Sequence, residues 1–328
     1  MAVLLNPRAQ GVTAARLRWF RSEVPAADLF VPGSLAETQA TVRTIVGAGH
    51  DVICPGGGDG TFMDVAAELI RLAPVSMPAL LPLRLGTGNA VHDVVGASRP
   101  SPRGLRRDLA RAADPRETPT PLRLLEVDGR LTQFTGVGLD ADWAADYAWL
   151  IKQHVGNGPL LPLVRGAPGY LATALGLTIP RLLRRPHVTL KLVALGAASR
   201  LDRAGRPVAE LADGATLFEG PATLAAASTV PSYSAGFRFF PHVDRIGARF
   251  ELKVGIVGAL DVVRHARRLL GGGPGPAHVL DFAAEGVRVE LPEATRYHVG
   301  GDVLPPARGF SITLGPRPVL VLRPRPTG

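Results

Sequence analysis

Two short glycine-rich segments hold the residues best suited to chemistry. The first, Cys54-Pro55-Gly56-Gly57-Gly58-Asp59-Gly60-Thr61, stands where an apolar stretch gives way to a helical one. Glycines there let backbone N–H groups approach an anion closely, and the N-terminus of the following helix adds positive dipole. This is phosphate-binding chemistry, yet the loop has neither the GxxxxGK[ST] of a P-loop nor the spacing of a dinucleotide GxGxxG. Asp59 needs a reason to be there. A carboxylate inside a phosphate cradle repels its ligand unless it holds magnesium or accepts a proton. A tight turn in which Asp59 caps the helix is the plainer alternative. The second segment, Leu85-Gly86-Thr87-Gly88-Asn89-Ala90, repeats the arrangement after the next apolar stretch. Two such loops at neighbouring strand ends can line one phosphate site.

Strands must feed those loops, and the first third of the chain supplies them. AVLLN, a helix around Gly11 to Ser22, DLFVP, a helix from Ser34 to Gly47, DVICP and a helix from Thr61 to Leu72 alternate, followed by the strand ALLPLRLG and the short helix GNAVHDVVG. The alternation predicts a parallel sheet covered by helices on both faces, with ligands beyond the carboxyl ends of its strands. From about Leu122 the pattern changes to strands and turns, including LRLLEVDGRLTQFTGVG, HVTLKLVAL, RFELKVGIV, GVRVEL and FSITLGPRPVLVLRP, which predicts a mainly antiparallel second domain. One helical excursion, Ala141 through Arg185, contains GYLATALGLTI and PRLLRRP. Arg165 and several prolines keep it below the roughly 20 apolar residues of a membrane span. The expected division is an α/β domain over 1–121 followed by a β-rich domain over 122–308.

Hydrophobic residues make up 46% of the 328 residues and charged residues 20%, the balance of a globular protein. The formal charge of +9, carried almost entirely by arginine, favours anionic partners such as nucleotide phosphates or acidic lipid headgroups. Aromatic residues at 5%, with no base-stacking motif or zinc finger, argue against nucleic acid. The single cysteine, Cys54, excludes an intramolecular disulfide and reads as a buried strand residue. MAVLLNPRAQG reads as a strand and turn rather than a signal peptide, so a cytoplasmic protein is expected.

With both glycine loops in order, the chain resembles the diacylglycerol kinase catalytic family, which includes bacterial lipid kinases, sphingosine kinases and ceramide kinases and is distantly similar to NAD kinases. Asn6-Pro7-Arg8-Ala9 is similar to its opening NP motif, Gly136-Val137-Gly138-Leu139-Asp140-Ala141-Asp142 to its GxGxDA segment, and Tyr297-His298-Val299-Gly300-Gly301-Asp302 stands at its DGE turn. The resemblance implies an ATP-dependent lipid kinase using magnesium, with nucleotide bound on the 1–121 domain, a closing strand within 309–328 that returns to that domain, and an active site in the interdomain cleft. It places nucleotide phosphates near Asn6, Arg8, Gly57, Gly58, Gly60, Thr61, Thr87, Gly88 and Asn89. Asp59 is implied as the catalytic carboxylate that organises magnesium, acts as base toward the lipid hydroxyl, or both, with Asp302 as an assisting catalytic carboxylate, and Asp140 and Asp142 as lipid-binding. A lipid substrate at the inner face of the membrane, reached by peripheral contact, is implied as well.

The departures are specific. Gly300 replaces the aspartate of the DGE turn, Asp302 shortens its glutamate, Ile246 precedes Gly247 where a second DG pair is usual, and Asp64 stands for a glutamate. Ala90 makes the second loop resemble the sphingosine kinase form. A weakened lipid-binding relative and an NAD kinase are the rival readings. His92, His154, His242 and His298 are isolated in sequence and read as core or surface histidines, and Arg181, Arg184 and Arg185 as a solvated face.

Overall fold

The chain opens on β1 (Ala2–Leu5), whose four apolar residues are all buried, as suits the centre of a sheet covered on both faces. A computed structural model describes residues 1–151, 172, 173, 176, 177, 180, 187–232, 238–258 and 278–324. Helix α1 (Ala14–Glu23) and helix α2 (Leu35–Gly47) each start on a hydroxyl cap, Thr13 accepting the Arg16 N–H and Ser34 the Glu37 N–H. The short β2 (Leu29–Phe30) lies between them in sequence. Then come β3 (Val52–Gly57) and α3 (Asp59–Leu72), which starts two residues before the expected Thr61 because Gly58 serves as its cap.

ALLPLRLG forms two short strands rather than one, β4 (Ala79–Leu80) and β5 (Leu83–Arg84), both parallel to β3. Pro82 between them has no N–H to give the ladder. After α4 (Ala90–Val94) comes a helix absent from the sequence reading, α5 (Pro102–Ala113), before β6 (Pro119–Leu122). Its arginines hide a narrow apolar stripe of Leu105, Leu109 and Ala112, and Ser101 caps it with Pro102 in its first turn.

The chain divides into two compact units, Met1–Arg123 with Pro316–Gly328, and Leu124–Gly315. The second unit begins with β7 (Leu125–Val127) and β8 (Arg130–Thr132), a hairpin turning on Asp128 and Gly129 at φ 49° and 76°. It continues through β9 (Phe134–Gly138), α6 (Leu139–Trp149), β10 (Val188–Ala194), β11 (Ala198–Leu201), β12 (Pro207–Leu211), β13 (Thr216–Ala222), β14 (Leu224–Ser228), β15 (Phe250–Gly255), β16 (Val279–Ala284), β17 (Gly286–Val299) and β18 (Asp302–Leu314). These strands form an antiparallel sheet in the order β12-β11-β16-β15-β14-β9-β17-β18-β7-β8, with β10 joining β17 to β13. Leu192, Phe250, Leu252 and Val287 are among its core residues.

Gly315 through Pro318 break the closing segment in two, so Phe310 to Leu314 stay in β18 while β19 (Val319–Leu322) enters the first unit's sheet. That sheet runs β2-β1-β3-β4-β19-β6 and is parallel except where β6 meets β19. Among the described residues no helix is long and apolar enough to cross a membrane. Most of GYLATALGLTI and PRLLRRP, with Arg165, Arg181, Arg184, Arg185 and His154, lies outside the described residues.

Candidate functional site

Three loops of the first unit meet at the carboxyl ends of β1, β3 and β5. Asn6 binds the first loop to the second: its backbone N–H donates to the Gly56 carbonyl at 2.9 Å and its Nδ2 to Thr61 Oγ1 at 2.9 Å. Its Oδ1 accepts the Arg8 N–H at 2.9 Å, which turns the chain and leaves Arg8 exposed. The two glycine loops pack back to back. A Cβ on Gly86 would stand 2.2 Å from the Gly58 Cα, and one on Gly57 2.2 Å from Thr61 Oγ1, so backbone and hydroxyl occupy the volume that side chains would need. The surface over Gly60 is open, with nothing within 4 Å of a Cβ there.

Helix α3 has no side-chain cap. The first-turn N–H groups of Gly60 and Thr61 have no intrahelical acceptor, and fourteen aligned peptide dipoles end at this point. The arrangement fits an anion in the way expected of a phosphate cradle. In the second loop Asn89 Nδ2 donates to the Gly86 carbonyl at 2.9 Å, Thr87 Oγ1 donates to Gln10 Oε1 at 3.3 Å, and Asn89 Oδ1 is buried without a donor.

Asp59 does something the sequence did not suggest. Its N–H donates to the Gly88 carbonyl at 2.9 Å, while its carboxylate accepts the Ala90 N–H at 2.9 Å and the Val91 N–H at 3.1 Å. It therefore caps α4 from a different helix and locks the two glycine loops together, at 8% exposure. Each carboxylate oxygen thus already accepts one amide. His92 lies behind it, fully buried, with Nδ1 3.6 Å from Asp59 Oδ1 and no hydrogen-bond partner for either ring nitrogen.

In the second unit the GxGxD segment has a steric explanation. A Cβ on Gly136 would fall 2.0 Å from Asp140 Oδ2, so the glycine makes room for the carboxylate. Gly138 turns strand into helix at φ +84°, where a Cβ would meet the Thr223 carbonyl at 2.4 Å. Directly opposite Gly136 on the neighbouring strand is His298, 1% exposed, whose Nε2 lies 2.6 Å from Asp140 Oδ2. His298 Nδ1 accepts the Gly301 N–H at 3.2 Å. A histidine read from sequence as isolated is therefore paired with a predicted site acid. Asp142 follows on the first turn of α6, half-buried.

Val299 pairs with Asp302 across the β17–β18 hairpin, leaving Gly300 and Gly301 as a two-residue turn at φ +61° and +94°. Both positive angles are what a type I′ turn requires, a conformation that glycine adopts without strain and that Asp-Gly also favours, as at Asp128 and Gly129. Asp302 is exposed at the start of β18. Tyr297 donates its hydroxyl to Asp128 Oδ2 at 2.7 Å, and burial, with that carboxylate, pushes the phenol up to about 12.

Among the described residues, one group of side chains has metal-ligand proximity: His242, Glu251 and Asp281, with ligand atoms within 4.8 Å of one another. The Lys253 ammonium already stands there, bonded to Asp281 and 3.0 Å from Glu251 Oε1. The cation place is filled by the chain itself. Burial pushes Glu251 up to about 7 against the opposing pull of Lys253, and Lys253 is held above the usual ammonium range by the two carboxylates despite its own burial. Cys54 is buried in β3, and burial raises its thiol to about 12.

Residues 1–116 match the family model of the diacylglycerol kinase catalytic domain. No curated protein matches the chain in sequence. Among solved structures, a diacylglycerol kinase from Bacillus anthracis str. Sterne is 16% identical with a TM-score of 0.61, over 99% of this chain and 97% of that one. Two further structures from that strain reach TM-scores of 0.62 and 0.63 at 15% and 16% identity, covering 99% and 98% of this chain and 97% of each of theirs. The likeness is one of fold, an α/β unit with a mostly parallel sheet followed by a large antiparallel sheet.

Proposed function

We propose that this chain, which shares its fold with those structures and whose residues 1–116 match the diacylglycerol kinase catalytic domain, is an ATP-dependent kinase acting on a lipid hydroxyl. The observation that carries the reading is the pair of interlocked glycine loops beside the uncapped N-terminus of a fourteen-residue helix. Backbone amides at Gly60 and Thr61, with Arg8 in the adjoining turn, would hold nucleotide phosphates, and Asn6, Thr87 and Asn89 keep the loops in shape. Magnesium would supply charge neutralisation on those phosphates.

Asp59, with an amide on each oxygen, offers only its remaining lone pairs to that ion or to a proton. The exposed acid is Asp302, to which we assign the base role. Transfer then breaks the bond from the γ-phosphorus to its bridging oxygen and forms one to the lipid oxygen, whose proton passes to the carboxylate. Asp140 and Asp142 would read the acceptor headgroup by accepting its hydroxyl or amine hydrogens. Action at the inner face of the membrane by peripheral contact, with the basic chain attracted to anionic lipid, belongs to the same proposal.

The test is incubation with γ-labelled ATP and magnesium in micelles containing diacylglycerol, ceramide or a sphingoid base, with NAD alongside. A labelled lipid supports the reading, and a labelled NAD replaces it with an NAD kinase. Lipid binding without ATP consumption would instead identify a weakened relative.

A further inference from the structure

The bond between Asp140 and His298 does more than fill a core. His298 is 1% exposed and Asp140 16%, so the histidine stands behind the carboxylate. Its Nδ1 accepts the Gly301 N–H, which fixes the ring proton on Nε2, where it is donated to Asp140. Its backbone is held too, since Thr135 Oγ1 donates to the His298 carbonyl at 2.6 Å and Phe134 packs edge-on against the ring at 5.7 Å. One imidazole thus reaches a carboxylate at the start of α6 and the two-glycine turn that carries Asp302.

We propose that His298 is a positioning residue, holding Asp140 through Nε2 and the Gly300–Gly301 turn through Nδ1, so that headgroup recognition and the hairpin acid are set in one register. The inference rests on the lipid kinase reading. Its first test compares wild type, Asp140→Asn, His298→Asn and His298→Gln with the acceptor lipid that the panel identifies. Glutamine carries an amide N–H about as far as Nε2, whereas asparagine reaches only to the Nδ1 position and cannot donate to Asp140.

His298→Asn and Asp140→Asn are expected to raise the acceptor KM about tenfold while the ATP KM stays within about twofold, the effect of one charge-assisted hydrogen bond. His298→Gln should recover most of the acceptor affinity, and the double Asn variant should be no worse than either single one. A histidine that merely supports the fold would lower kcat and the melting temperature without that donor-specific rescue. An acceptor KM unchanged in His298→Asn overturns the proposal.

The second test does not need turnover. In ¹⁵N-histidine spectra of the wild-type chain, assigned by difference from His298→Gln, His298 should show the Nε2–H tautomer, with its Nε2 resonance shifted in Asp140→Asn. An Nδ1–H tautomer overturns the coupling even if lipid is phosphorylated. Conversely, a wild type inert on every lipid removes the kinase reading, and the tautomer still decides whether His298 holds Asp140.

Discussion

Replacing Asp59 with asparagine should destabilise the first unit before it says anything about catalysis. The carboxylate accepts two amides, from Ala90 and Val91, at 8% exposure. Asparagine keeps one acceptor oxygen and turns an NH₂ toward the other amide, so one charge-assisted bond is lost and one buried N–H is left without a partner. At about 1.5 kcal/mol for each of these effects the loss comes to about 3 kcal/mol. A unit of this size should then melt about 10 °C lower. Scanning calorimetry measures the shift, and hydrogen exchange locates it, since the Ala90 and Val91 amides should lose protection while α2 does not. A melting temperature within about 2 °C of wild type, with those amides still protected, would refute the clamp. The consequence for enzymology is direct: lost turnover in Asp59→Asn would report the loosened loops as well as any chemistry at the carboxylate.

Asp302→Ala removes an exposed carboxylate, so it should cut lipid phosphorylation by at least about 100-fold with the melting temperature unchanged; turnover near wild type would return the base role to Asp59. Gly300→Asp places an acid in a turn whose angle aspartate tolerates, as at Asp128, but its Cβ would lie 2.9 Å from Thr132 Oγ1, so about 1 kcal/mol of stability should be lost in denaturant titrations. Stability unchanged in that variant would mean that the turn moves away from Thr132 without cost. Glu251 gives the second unit a pH dependence. Its folded value of about 7 lies above the ordinary 4.5, so the unfolded chain releases the proton first and stability falls as pH rises from 4.5 to about 7. Lys253 is charged in both states over that window and adds no slope. The fall is at most about 3 kcal/mol and is opposed by His242, which burial holds below the usual imidazole range, so Glu251→Gln should abolish the fall in urea titrations at pH 5 and pH 7.5; a fall surviving the substitution would assign it to other groups.

The parts of this site legible in the sequence are those written in consecutive residues. Glycine loops at strand ends, a D-G hairpin at Asp128 and a strand-to-helix turn at Gly138 depend on local backbone geometry, which short motifs specify. What stayed hidden has partners far apart. Helix α5 escaped because arginines outnumber its three-residue apolar stripe, and Lys253 passed as an ordinary strand residue although it neutralises two carboxylates that become neighbours only when β15 pairs with β16. His298 and Asp140 are 158 positions apart, and nothing local to either names the other. The link is Gly136. Its register partner across the sheet is His298, and the side chain it lacks would occupy the space of the Asp140 carboxylate. A GxGxD segment therefore encodes half of a contact, room for an acid, and only the pairing of β9 with β17 supplies the donor that fills the other half. A motif's glycines can be read from sequence as space, but what uses the space is decided by which strand lies alongside.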